Sequence, residues 1–373
     1  MTYAAAVPTA PAARRQSRAL CAVVAVLAVL TLAACSTAAS NAPSTGMSVT
    51  VITPNLEHDY FRSVQADALD AGAASGVAIT QIADAADEVS QIKAIQAAID
   101  SGATGIVIYP AGAAVAGSVQ KARDAGLVVV ELGGSPTPTG KANLVIGSDD
   151  CTLGIAIGQW IAGRLNSYPG NIARVTGPIT VGTAPPAAAC RDTAFLQGMG
   201  IETGDPNMQG DEPASGRYTG GYAGDFTLPC LVTNATNAET ARAGLADCFA
   251  DKEPIDTVYA ASDALAQGAA VAMRYAGKTI GTDAILAAVG GDRSSLDMVK
   301  GGLMGAVATP RFPGIGTLAV NTVVGIAQDG NAPVPAGEKG YVDVGVDICT
   351  DYPQSAVTVA IQVPVQDCLD RLR

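Results

Sequence analysis

Met47-Ser48-Val49-Thr50-Val51-Ile52-Thr53-Pro54 alternates apolar with small polar residues and then turns more apolar, the pattern of a strand. Asn55-Leu56-Glu57-His58-Asp59 follows, polar and turn-prone, and Tyr60-Phe61 opens a helical run over 60–74. A strand therefore leads into a polar tip with two adjacent aromatics, and a helix carries the chain away. In an open α/β sheet, ligands collect beyond the carboxyl ends of the strands, at such tips.

Working outward, the same unit recurs. Strands are expected at 77–83, 105–110, 127–132 and 143–148. Helices are expected at 88–101, 115–125 and 153–166. In the 88–101 helix Val89, Ile92, Ile95 and Ile99 fall on one face, and Gly102 stops it. Gly105-Ile106-Val107-Ile108-Tyr109-Pro110 is nearly continuous in apolar residues, as a strand buried on both faces should be. The pattern restarts at 171–176. Strands at 257–261, 285–289 and 305–309 alternate with helices at 191–199, 238–250, 264–276, 296–300 and 315–328. Segments 341–348 and 357–363 read as extended. Residues 201–236 are irregular, with short strands near Arg217 and Leu231. The fold class is α/β, with parallel doubly wound sheets in two successive sets and no long linker.

The 373-residue chain is long enough for two lobes, and 49% apolar with 15% charged content is globular rather than disordered. Net charge is −12, and no basic run follows Arg18, which argues against nucleic acid or an anionic membrane surface as partner. Arg14, Arg15 and Arg18 precede an apolar run over 19–34, shorter than the roughly 20 residues a spanning helix needs, so it reads as a signal segment. Leu32-Ala33-Ala34-Cys35 resembles the lipobox of bacterial lipoproteins, in which the cysteine carries lipid. Residues 36–46 then form a flexible tether. Lipidation would hold the protein on the outer face of a membrane.

Cys151, Cys190, Cys230, Cys248, Cys349 and Cys368 remain, an even number in an exported chain. Proximity favours Cys230–Cys248 and Cys349–Cys368, leaving Cys151–Cys190; free buried thiols are the alternative. The lack of C-x-x-C spacing and the single histidine argue against a metal site. No cofactor is implied. There is no P-loop, no G-x-S-x-G turn and no G-x-G-x-x-G between the first strand and helix, and His58 has no evident triad partners, so an enzyme is disfavoured.

Several segments in order resemble the periplasmic sugar-binding proteins of the ribose and galactose type, the solute receptors of ABC importers. They are Tyr60-Phe61 after the opening strand; Ser90-Gln91-Ile92; residues 105–110; Gly147-Ser148-Asp149-Asp150 with Gly154; residues 177–191 with Gly198; residues 260–268; Val289-Gly290-Gly291-Asp292; and residues 306–316. The resemblance implies two Rossmann-like lobes joined by three hinge crossings, with a sugar or polyol in the cleft between them. It divides the chain into an N-terminal lobe, 47–164 plus 310–340, and a C-terminal lobe, 165–309 plus 341–373. The implied partners are that ligand and an ABC permease, with membrane contact through the lipid on Cys35 and a monomeric receptor. A ligand-presenting sensor of the same fold is the alternative role.

Carried over by position, Tyr60 and Phe61 match aromatics that flank the sugar, and His58 a polar position before them. Tyr109 falls where the family often has an amide. Asp149 and Asp292 match carboxylates that accept hydroxyl protons, with Asp150 expected to be exposed or a helix cap. Arg191 matches an arginine that clamps the ring, and Phe226 an aromatic of the second lobe. Two positions depart from the family: Ser262 replaces a usual Asn, and Thr309-Pro310-Arg311 occupies a region that usually ends in Gln, making Arg311 a candidate contact.

Overall fold

The opening unit folds as a parallel βα unit. β1 (Ser48–Ile52) runs into the polar tip, and α1 (Asp59–Ser75) carries the chain back to an αL cap at Gly76. It repeats through β2 (Ala78–Ile82), α2 (Glu88–Asp100), β3 (Gly105–Ile108), α3 (Ala116–Asp124), β4 (Val128–Leu132) and β5 (Leu144–Gly147). The second set runs through α4 (Asp150–Leu165), β6 (Gly170–Val175), α5 (Cys190–Met199), β7 (Ser215–Tyr218), β8 (Gly224–Val232), α6 (Ala238–Ala250), β9 (Thr257–Ala260), α7 (Asp263–Tyr275), β10 (Ile285–Val289), α8 (Arg293–Lys300) and β11 (Ala306–Pro310). The chain ends with α9 (Ile315–Asp329), β12 (Tyr341–Asp343), β13 (Val346–Cys349), β14 (Ile361–Val363) and α10 (Val365–Asp370). This computed structural model describes residues 45–134, 139–177, 190–204, 210–251, 254–311, 314–333 and 340–372. The signal segment 1–35 with Cys35, and nearly all of the tether, lie outside them.

Two sheets result. The first has the order β12-β5-β4-β3-β1-β2 and is parallel throughout. The second has the order β14-β13-β11-β10-β9-β6-β8-β7, with antiparallel pairs only at β11–β13 and β7–β8. Each sheet is buried on both faces. Val49, Val51, Val107 and Val130 pack under α1 and α9, while Ile52, Ile106, Ile108 and Val129 pack under α2 and α3. That double burial is why the strands read as apolar runs. In the second sheet one core is built around Trp160, Phe195 and Tyr259 and another around Val258, Leu286 and Val307. Burying one such Leu, Ile or Val contributes about 1.5–3 kcal/mol.

The lobes are joined at 148–149, at 311 and at 344–345. These crossings bond to one another: the Val344 N–H donates to the Gly147 carbonyl at 2.8 Å, the Arg311 N–H to the Gly345 carbonyl at 3.0 Å, and the Ser148 hydroxyl to that same carbonyl. The boundaries differ from expectation in two places. α4 packs on α5, β10, β11 and β13, so it belongs to the second lobe, although all but its last residue falls within 47–164. β12 pairs with β5, so the first lobe regains the chain at 341–343.

The 201–236 segment supplies β7 and β8 at the edge of the second sheet. It is tied to β6 by the buried Arg174, which bonds both Asp192, at 2.9 Å, and Glu212. The six cysteines pair as Cys151–Cys190, Cys230–Cys248 and Cys349–Cys368. The last pair pins α10, a helix not foreseen in the sequence, to the end of β13.

Candidate functional site

The carboxyl ends of both sheets face one cavity of about 290 Å³. Its floor depends on Gly147, where an added Cβ would stand 1.7 Å from the Gly133 carbonyl oxygen. Only glycine lets the ends of β4 and β5 come so close.

The first-lobe wall is aromatic. Tyr60, Phe61 and Tyr109 meet edge to face, with ring centroids 5.3 Å apart for Tyr60–Phe61, 5.0 Å for Phe61–Tyr109 and 6.1 Å for Tyr60–Tyr109. The backbone of Tyr109 is held by the fully buried Gln91. Its Nε2 donates to the Tyr109 carbonyl at 2.9 Å, and its Oε1 accepts from the Ala111 N–H at 2.9 Å. Burial pushes both phenols up, so each stays a neutral O–H at physiological pH. Aromatic faces cover apolar C–H surface.

The second-lobe wall is charged. Arg191, at the start of α5, sets both Nε and a terminal nitrogen 2.5 Å from Asp150 Oδ1. Asp150 Oδ2 lies toward Gly134, where an added Cβ would be 2.5 Å away. Asp263 opens α7 and accepts the Gly291 N–H at 2.9 Å. Burial pushes its carboxyl up to about 6, against the opposing effect of that N–H. Ser262 lines the cavity and caps α7, accepting the Leu265 N–H at 3.4 Å. Asp292, at the start of α8, bonds His58 Nδ1 at 2.7 Å across the mouth. The bond to Asp292 raises the His58 pKa, opposed by burial and aided by the charges of Asp292, Asp263 and Glu57. An apolar wall facing three carboxylates and one guanidinium suits a small hydroxylated molecule: the rings cover its C–H faces and the charged groups bond its rim.

The sequence matches the family model of the periplasmic binding protein domain over residues 49–332, most of the chain. The chain belongs to the periplasmic binding protein family. No curated protein matches it significantly. Among solved structures it resembles an arabinose-binding protein from Geobacillus stearothermophilus, at 18% identity and TM-score 0.65, covering 83% of this chain and 97% of that one. A Mycobacterium smegmatis protein in complex with β-D-fucofuranose is similar at 21% identity and TM-score 0.61, over 82% of this chain and 91% of that one. A Bacillus halodurans ABC transporter solute-binding protein with bound myo-inositol follows at 17% and 0.63, over 89% and 100%. At these identities the likeness establishes a shared fold.

In this periplasmic binding protein, His58, Tyr60, Phe61, Tyr109, Arg191, Ser262 and Asp292 all line the cavity. Three expected site residues do not. Asp149 is the N-cap of α4, and its Oδ1 accepts the N–H groups of Cys151 at 2.7 Å and Thr152 at 3.0 Å, so Asp150 is the carboxylate that faces the cleft. Phe226 is 4% exposed in the core, opposite Gly170 at the amino end of β6, whereas the cleft lies at the carboxyl ends. Arg311 turns from the cavity to Asp347, with Nε and a terminal nitrogen 2.9 and 2.8 Å from Oδ1, while Pro310 lines the cleft.

Sequence reasoning missed Asp150, Asp263, Ser148 and the glycines at 133, 134, 290 and 291 as lining residues. The N-cap preference for Asp applied to Asp149 and Asp150 alike, so it did not say which of them caps α4. No helix among the described residues is long and apolar enough to cross a membrane.

Proposed function

We propose that this chain is an extracytoplasmic solute receptor of an ABC importer, tethered by lipid on Cys35, that closes around one neutral sugar or polyol. The observation that carries the reading is the composition of the cleft between the lobes. Tyr60, Phe61 and Tyr109 form one wall, and Arg191, Asp150, Asp263 and Asp292 face them. The carboxylates outnumber the guanidinium, which disfavours an anionic ligand. Each named polar group is matched to a hydroxyl, and leaving one unpaired in the closed cleft costs about 1–3 kcal/mol, the source of discrimination between close analogues. The similar structures, an arabinose-binding protein and proteins with bound fucofuranose and myo-inositol, support the same ligand class.

The test is a thermal-shift screen of pentoses, hexoses, inositols and amino acids on protein beginning at Ser36. A sugar or polyol is expected to raise the melting temperature by mass action on the bound state. Arg191→Ala abolishes that shift while the protein remains folded. A shift by amino acids alone, or full retention of the sugar shift in Arg191→Ala, sinks the reading. Replacing Cys35 by Ser is expected to move the protein from membranes to the soluble fraction.

A further inference from the structure

At the rim of the cavity the two lobes exchange helix caps. α1 of the first lobe begins at Asp59 and α8 of the second at Arg293, and each helix start leaves backbone N–H groups without intrahelical partners. Asp292 occupies the N-cap position of α8 with extended backbone, yet its side chain makes no bond to its own helix. Its Oδ1 instead accepts the Asp59 N–H at 3.0 Å. Reciprocally, Asp59 Oδ2 accepts the Arg293 N–H at 2.5 Å. His58 is the N-cap residue of α1, likewise without a cap bond of its own, and its Nδ1 donates to Asp292 Oδ2 at 2.7 Å. Arg62, on the first turn of α1, bonds the Asp59 carboxylate and the Leu56 and Glu57 carbonyls.

We propose that Asp59 and Asp292 form a clasp that fastens the lobes in the closed arrangement, each carboxylate capping the helix of the opposite lobe. Parting the lobes removes both caps at once and exposes two carboxylates and two helix starts to water. Asp292 is then free to turn onto α8, the role its N-cap position suits. The clasp biases a two-state equilibrium and needs no ligand.

His58 makes the clasp sensitive to protons. The charged groups that act on it are Glu57 from its own lobe and Asp263 and Asp292 from the other. Their net effect in the closed form favours the imidazolium, whose pKa rises above the ordinary 6.5. The charged clasp is therefore complete below 6.5 and weakens as pH rises through the closed-state value.

The experiment is small-angle X-ray scattering on ligand-free full-length mature protein, stripped by unfolding in guanidinium with the disulfides kept and then refolded. Arg293→Pro is the decisive variant. It deletes the N–H that Asp59 accepts, while proline at the first helical position is well tolerated. The wild-type radius of gyration is expected to be smaller at about pH 6 than at about pH 9, because the imidazolium that completes the clasp is lost as pH rises. Arg293→Pro and Asp59→Asn both shift to the larger radius at either pH, with unchanged far-ultraviolet circular dichroism. His58→Gln removes the pH dependence. A wild-type radius retained in Arg293→Pro overturns the clasp, and a pH dependence retained in His58→Gln overturns the role of the histidine. Because no ligand is present, failure of the sugar screen leaves this result standing, and the reverse.

Discussion

Asp263 carries a buried carboxylate whose strongest neighbour is a backbone N–H, not a cation. It tucks beneath Gly290, where an added Cβ would lie 2.2 Å from Oδ2, so the glycine pair and the aspartate belong together. Its folded pKa of about 6 stands above the ordinary 3.8, so the folded state holds the proton more tightly than the unfolded chain does. The sign follows: the associated stability is present below 3.8 and is lost as pH rises through about 6. Asp263→Asn keeps an acceptor for the Gly291 N–H and removes the titration. Urea unfolding at several pH values is expected to show a decline across this window in the wild type and a flatter profile in the variant. An identical slope in both assigns the proton elsewhere. The residue scale is also where sequence reading was least complete. Whether Asp149 or Asp150 enters the cleft depends on the residue at which α4 begins, and the apolar pattern placed that start at 153 whereas the helix begins at Asp150. One residue of phase exchanges a cap for a contact. Arg311 missed for the same reason: β11 extends to Pro310, so the next side chain points away from the cavity.

At the scale of elements, α4 and α5 form a close pair. Gly154, Gly158 and Gly198 let backbone meet backbone: an added Cβ would lie 2.2 Å from the Arg191 carbonyl oxygen, 2.2 Å from that of Phe195 and 2.3 Å from that of Ile155, respectively. Cys151 and Cys190 bridge the amino ends of these helices, and Asp150 and Arg191 are their immediate chain neighbours. The disulfide therefore holds together the two helix starts that present the ion pair to the cleft. Cys151→Ser with Cys190→Ser is expected to lower stability by about 4 kcal/mol from the chain-entropy relation for a separation of 39 residues. It is also expected to weaken ligand binding. Removal of Cys230–Cys248, remote from the cavity lining, lowers stability without that effect. Titration calorimetry and melting curves on both double variants check the contrast; equal affinities mean that the helix packing alone sets the ion pair. The elements themselves were largely legible, because strands buried on both faces and helices with one apolar face leave different periods. Within 201–236 the strands expected near Arg217 and Leu231 are β7 and β8, but Phe226 had no flanking pattern to set its register.

Across the whole molecule, lobe membership is a matter of crossings that no local pattern records. α4 follows the first set of strands in sequence yet covers the second sheet, and β12 returns to the first sheet after the second is complete. The two-lobed plan was legible because the βα alternation restarts, while the points of crossing depend on long-range pairing. Arg311 finds its role there. Asp347 is 2% exposed, and its two oxygens are held by Arg311 and by Arg371, the latter at 2.6 Å. Arg311 also donates its backbone N–H to Gly345, in the neighbouring crossing, and its guanidinium packs against that glycine. It thus links two of the three crossings to the C-terminal helix. Arg311→Ala leaves Asp347 with one cation; because the arginine is 38% exposed, the stability loss should be only about 1 kcal/mol. Its larger effect falls on closure. On the proposed closure, a looser hinge opens more often without altering any group in the cavity, so ligand dissociation is expected to accelerate several-fold while association changes little. Stopped-flow kinetics with a ligand from the thermal screen separates the two rates. A change confined to association, or none in either rate, means that the Arg311–Asp347 pair stabilises the second lobe and plays no part in the hinge.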